Sequence, residues 1–164
     1  MQRASLTWAA IALTGASLQA QVPAGGEFRV NTFTTDHQYF PAAAYDRDGD
    51  FVVIWSSYED GARRTDVKGQ RYLYDGLPWG AEFLVNATTA GDQYTNQIGR
   101  PIAMRPDGRF VVVWSNVPGP GASDIRARRF EARGAPTDAE FQVDVGGAGA
   151  AYYPNVGMGA SGDF

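Results

Sequence analysis

Phe51-Val52-Val53-Ile54-Trp55-Ser56 returns as Phe110-Val111-Val112-Val113-Trp114-Ser115, displaced by 59 residues. Both runs are apolar at consecutive rather than alternate positions, so each reads as a strand buried on both faces between stacked sheets. Just before each run stands a turn, Asp48-Gly49 or Asp107-Gly108, and Ser161-Gly162 holds the same place ahead of Phe164. Asp-Gly between strand-like segments predicts a hairpin whose two central residues take positive φ. Ahead of the turns lie Pro41-Ala42-Ala43-Ala44-Tyr45 and Pro101-Ile102-Ala103-Met104-Arg105, first strands opening on proline, where a missing N–H matters least.

Beyond the runs, Asp66, Val67, Arg71 and Tyr72 align with Asp124, Ile125, Arg129 and Phe130 at a shift of 58. A third strand is expected over 66–74 and again over 124–132. Gly76-Leu77-Pro78 and Gly134-Ala135-Pro136 then turn the chain into a fourth strand. There Glu82-Phe83-Leu84-Val85-Asn86 alternates, with Phe83 and Val85 on one face and Glu82 and Leu84 on the other. It recurs as Glu140-Phe141-Gln142-Val143-Asp144 and echoes Glu27-Phe28-Arg29-Val30-Asn31, so an outer strand is expected at 27–31.

Self-similarity at such a period marks an array or a propeller. The expected fold is all-β, with β-propeller blades of four antiparallel strands at 41–86 and 101–144 and a third unit opening near 154. A β-sandwich is the alternative, although it does not require the whole unit to recur. Phe164 is the counterpart of Phe51 and Phe110, so the third unit stops inside its most buried strand. Because propellers close with roughly four to eight blades, residues 21–164 are expected to be the N-terminal part of a longer propeller. Self-assembly of several copies into a ring is the other expectation.

Residues 1–20 read as a signal peptide, with an uncleaved anchor the rival reading: a basic start at Arg3, an apolar stretch from Ala4 to Leu18, and the small residue Ala20. The expected location is therefore secreted, periplasmic or at the cell surface. After that stretch no apolar run approaches the length of a membrane helix. Eighteen acidic against 14 basic residues leave a net charge of −4, which gives nucleic acid no basic face. The chain has no cysteine, which excludes thiolate metal sites.

The pattern Pro-x-x-Ala, Asp-Gly-x-Phe-Val-Val-x-Trp-Ser, Asp-Val-x-x-Gln-Arg-Tyr, Gly-x-Pro, Glu-Phe-x-Val-Asn resembles repeats of large secreted or surface-displayed bacterial proteins. The resemblance covers nearly everything after residue 20 and is best over 41–86, whereas Arg128-Arg129-Phe130 departs from Gln70-Arg71-Tyr72. It implies a repeat scaffold without an assigned biochemical activity. Such proteins often carry calcium-binding haemolysin-type modules elsewhere, but no Gly-Gly-x-Gly-x-Asp nonapeptide is present here.

Recurrence also sorts candidate sites, because a single active site needs its residues only once. Asp66/Asp124, Glu27/Glu82/Glu140 and Arg71/Arg129 are therefore read as structural. Asp46, Asp48 and Asp50 invite a calcium reading, yet Arg105, Asp107 and Arg109 replace them in the next unit, and the Asp-Gly turn explains what persists. His37 is the sole histidine, with no Gly-x-Ser-x-Gly elbow to accompany it. Glu59-Asp60 is read as solvated loop charge, and Asn86-Ala87-Thr88 as a glycosylation sequon relevant only in a eukaryotic host. No catalytic residue, metal set or cofactor is assigned.

The aromatic residues ahead of the first strands stand out: Tyr39-Phe40, its match Tyr152-Tyr153, and Tyr94 in the loop over 91–100. Loops joining successive blades commonly carry ligand contacts. These rings are expected either to meet carbohydrate or partner protein at the loop face, or to plug gaps between blades. The functional expectation is an exported scaffold for binding or display. The alternative is a propeller enzyme whose catalytic residues lie beyond residue 164.

Overall fold

The computed structural model describes residues 25–59, 64–96, 98–145 and 151–164, so the signal-peptide reading of 1–20 and the carboxylates of Glu59 and Asp60 lie outside it. The described residues form antiparallel sheets and no helix, as an all-β chain should. In the first sheet β1 (Gln38–Tyr45), β2 (Phe51–Glu59), β3 (Arg64–Tyr72) and β4 (Phe83–Leu84) follow one another as neighbours. The second sheet holds β5 (Asp92–Tyr94), β6 (Ile102–Met104), β7 (Phe110–Gly119), β8 (Ala122–Phe130) and β9 (Phe141–Gln142), with β5 and β6 both paired to β7.

The expected loop over 91–100 is thus partly strand. Gln93 and Tyr94 pair with Asn116 and Ser115 as Gln38 and Tyr39 pair with Ser57 and Ser56. In the first sheet only a bulge between Tyr39 and Ala42 interrupts the equivalent strand. The insertion after Tyr94 also shifts the proline match. Val113 N–H donates to Pro101 O at 2.8 Å, placing Pro101 where Ala42 stands opposite Ile54. Arg100, not Pro101, is therefore the register counterpart of Pro41, and the proline alignment misleads by one residue.

Three other expectations shift. The third strands begin at Arg64 and Ala122, two residues early, and end at Tyr72 and Phe130. Residues 27–31 form no strand; their hold on the first sheet is the Phe28 ring, 5.3 Å from Tyr72, and the Tyr72 hydroxyl, which donates to Val30 O. In the hairpin turns only the glycines take positive φ, 88° at Gly49 and 84° at Gly108. Gly49 N–H closes on Asp46 O and Asp46 N–H on Asp50 O, making five-residue turns instead of tight two-residue ones.

The two sheets meet through opposite faces. The first sheet gives Val52, Ile54, Val67 and Val85 to the shared core, with Ala42 and Ala44 packed beside them. The second gives Ile102, Phe110, Val112 and Trp114, which belong to the other side of the β7 pleat. Val111 and Val113, the counterparts of Val52 and Ile54, turn away and pack with Val156 and Met158 of the third unit. The rings follow the same rule. Phe83 lies 6.3 Å from Phe110 and 5.7 Å from Phe130, which stack at 4.8 Å; Phe141 in turn lies 6.3 Å from Phe164.

Recurring polar residues join one unit to the next. Glu140 accepts from the backbone N–H groups of Ala87 and Thr88, at 2.6 and 3.2 Å, as Glu82 accepts from that of Thr32. Asn86 and Asp144 accept from Val67 and Ile125 at 2.8 and 3.0 Å, tying the fourth-strand segment to the third strand within each sheet. Asn86 is fully buried by this, which closes the sequon to modification of the folded chain. Burial pushes the Glu140 carboxyl up, but the Thr88 side chain, these N–H groups and Arg126 outweigh it and hold it below its usual 4.5. A depressed carboxyl stabilises the fold above the unfolded value and loses that contribution as pH falls through the folded one. Chemical denaturation is therefore expected to show stability falling below about pH 4.5, with Glu140→Gln flattening that limb. An unchanged acid limb in the variant would contradict the clasp.

Candidate functional site

Each sheet's first strand starts beside the end of its second, because Gln38 pairs with Ser57 and Gln93 with Asn116. The lead-in segments of three successive units therefore come together at one end of the stack. Phe40 from the first, Tyr94, Thr95 and Ile98 from the second, and Tyr152 and Tyr153 from the third line one cleft with Ser115, of about 320 Å³. Four of the five aromatic residues singled out in the sequence meet here.

Tyr39 stands beside the cleft: its ring meets that of Phe40 edge-on at 4.7 Å, and its hydroxyl pairs with Thr65 Oγ1 at 2.9 Å, so it backs the lining without belonging to it.

Serines of the Trp-Ser repeats set the backbone of the cleft. Ser56 Oγ accepts from Thr95 N–H at 2.9 Å, and Ser115 Oγ accepts from Tyr153 N–H at 3.2 Å. Thr95 Oγ1, paired with Ser56 Oγ at 2.8 Å, donates onward to Phe40 O at 2.8 Å. Asn96 Nδ2 donates to Pro154 O, and Val156 N–H to Arg100 O, which binds the third lead-in to the second. Thr95, Ile98 and Ser115 were missed in the sequence, although Ser115 carried a signal: it recurs with Ser56 beside the tryptophan.

Two cleft residues hold conformations that bulky side chains rarely adopt. Phe40 has φ 56° and Tyr153 φ 60°, both left-handed, at matching places in their units. Each costs roughly 1–3 kcal/mol, and strain of this kind clusters at ligand sites. Burial pushes the Tyr94 phenol well above its ordinary range, reinforced by the Asp92 carboxylate to which it is hydrogen-bonded, so it stays protonated. Among the described residues, no lysine, arginine, histidine or carboxylate lines the cleft.

The other candidates lie elsewhere. Asp46 Oδ1 accepts from the N–H groups of Asp48 and Asp50, each at 3.0 Å, while Asp50 Oδ1 accepts from Tyr74 N–H at 2.9 Å. These carboxylates thus serve their own turn and its neighbour. His37 is exposed, its ring 6.5 Å from that of Tyr58. Arg71 is buried with its guanidinium over Trp79 at 4.6 Å, whereas Arg129 pairs with Asp138 at 2.5 Å, so the recurring arginine has different partners in the two units. No protein-family model, curated protein or solved structure matches the chain.

Proposed function

We propose that the chain is an exported β-propeller-type scaffold that binds ligands in the aromatic cleft at the loop end of its stacked units. The cleft carries the reading: three consecutive units supply its rings, so it exists only once the units have stacked. Export is supported by the basic start and apolar stretch of residues 1–20.

The opposite-face packing supports a propeller over a sandwich, because each unit offers the next the same side of its sheet. The outer face of the first sheet supports it further. Trp114 Nε1 donates to Gln93 Oε1 at 2.9 Å, and Gln93 Nε2 to Asn116 Oδ1 at 2.7 Å, under the first sheet. At the matching places Trp55 Nε1, Gln38 Oε1 and Ser57 Oγ are buried without partners, and Phe51 and Val53 are half-buried. Orphaned polar atoms under an apolar face fit a sheet prepared to receive another.

Tyr153→Gly tests the binding role. Glycine takes a left-handed φ freely, so the variant should melt no lower than the parent, gaining up to about 1 kcal/mol, while ligand affinity falls. Calorimetric titration across a panel of soluble glycans and small organic solutes supplies the readout. A ligand held as tightly by the Tyr153→Gly, Tyr152→Ala double variant as by the parent would overturn the assignment.

A further inference from the structure

We propose that the cleft takes a quaternary ammonium group. The proposal rests on the cleft being a ligand site and names the chemistry that site prefers.

Four rings, Phe40, Tyr94, Tyr152 and Tyr153, share the lining, and of their three phenol hydroxyls that of Tyr94 is taken by Asp92. A sugar stacked on aromatic rings also needs its hydroxyl groups satisfied, since burying an unpaired hydroxyl costs binding energy. Among the described residues, no carboxylate, carboxamide or guanidinium group, which would do this, lines the cleft. The Thr95 hydroxyl is spent between Ser56 and Phe40 O, and Ser115 Oγ already accepts from Tyr153 N–H. A methylated ammonium asks for no such partner. Its charge is spread over methyl groups, which the negative faces of aromatic rings attract without fixed direction.

Three further observations favour a cation over a neutral apolar guest. Among the described residues no cationic side chain lines the cleft to repel one. The Asp92 carboxylate stands behind the Tyr94 phenol, accepting its hydrogen bond and adding negative potential on that side. The rings also differ in tilt: Tyr152 and Tyr153 lie 5.9 Å apart at 41°, which suits a rounded group better than a flat one. The left-handed residues Phe40 and Tyr153 each hold one of these rings.

Titration calorimetry of the chain with choline and with 3,3-dimethylbutan-1-ol, its uncharged isostere, decides the matter. Choline is expected to bind at least about tenfold more tightly than the isostere, and Tyr152→Ala to weaken choline while leaving the melting temperature unchanged. Co-sedimentation with phosphatidylcholine vesicles separates sources of the group: binding assigns a lipid headgroup, and choline binding without it assigns a free solute. Equal affinity for choline and isostere, or no heat with choline, would overturn the proposal. If another solute from the panel then bound and was lost in the Tyr153→Gly, Tyr152→Ala variant, the cleft would stand as a ligand site and only its ammonium preference would fall.

Discussion

Trp114→Ala should cost about 3–5 kcal/mol in urea denaturation, while Trp55→Ala, the same change in the preceding unit, should cost at least about 1 kcal/mol less. The two residues share a strand position, yet their surroundings differ. Trp114 is fully buried in the core between the sheets and donates its indole N–H to Gln93. Truncation there opens a large cavity and strips a buried carboxamide of its partner, and the penalties add. Trp55 is also buried, but it packs outside both core clusters and its N–H has no partner, so no hydrogen bond is lost. Equal losses would mean that the outer face of the first sheet is as closed as the inner, contrary to the asymmetry described.

The second large effect falls on a glycine. Gly91 sits at φ 76°, and a Cβ there would lie 2.2 Å from Val117 O and 2.7 Å from Pro118 Cα. Those are backbone atoms of β7, directly beside the Asp92↔Val117 pair that starts β5. Gly91→Ala must therefore displace a strand instead of a side chain, and about 3 kcal/mol or more should be lost. Gly80 supplies the control: its φ is 88° but nothing lies within 4 Å of the added carbon. Gly80→Ala should then cost only the left-handed penalty of roughly 1–2 kcal/mol. Because β5 carries Tyr94, Gly91→Ala should also abolish binding in the cleft. A Gly91→Ala protein as stable as Gly80→Ala would show that β5 is not held as described.

What the sequence disclosed, and what it hid, follows from where each residue spends its side chain. The Phe-Val-Val-x-Trp runs were legible because both faces of β2 and β7 carry apolar residues, and such runs keep their identity through a repeat. The turn glycines were legible because Gly49 and Gly108 need a φ that other residues avoid. β5 was hidden: Asp92-Gln93-Tyr94 carries no strand pattern, and Gln93 is buried only because Trp114 and Asn116 satisfy it. Misalignment of Pro101 came from counting through the insertion after Tyr94, where register rather than residue type fixes the match. The cleft was half legible. Aromatic recurrence pointed to Phe40, Tyr94, Tyr152 and Tyr153, but nothing in composition tells that Tyr39 backs Phe40 edge-on instead of joining the lining.

Everything proposed for the cleft depends on units stacking in one direction through opposite sheet faces. Nuclear Overhauser contacts in the folded chain test this most directly. The account predicts contacts from the Phe83 ring to those of Phe110 and Phe130, and from Val111 and Val113 methyl groups to Met158, with none from Val53 to any residue of the second sheet. Contacts joining Val53 or Phe51 to Val112 or Trp114 would instead place matching faces together, and the one-directional stack would be wrong.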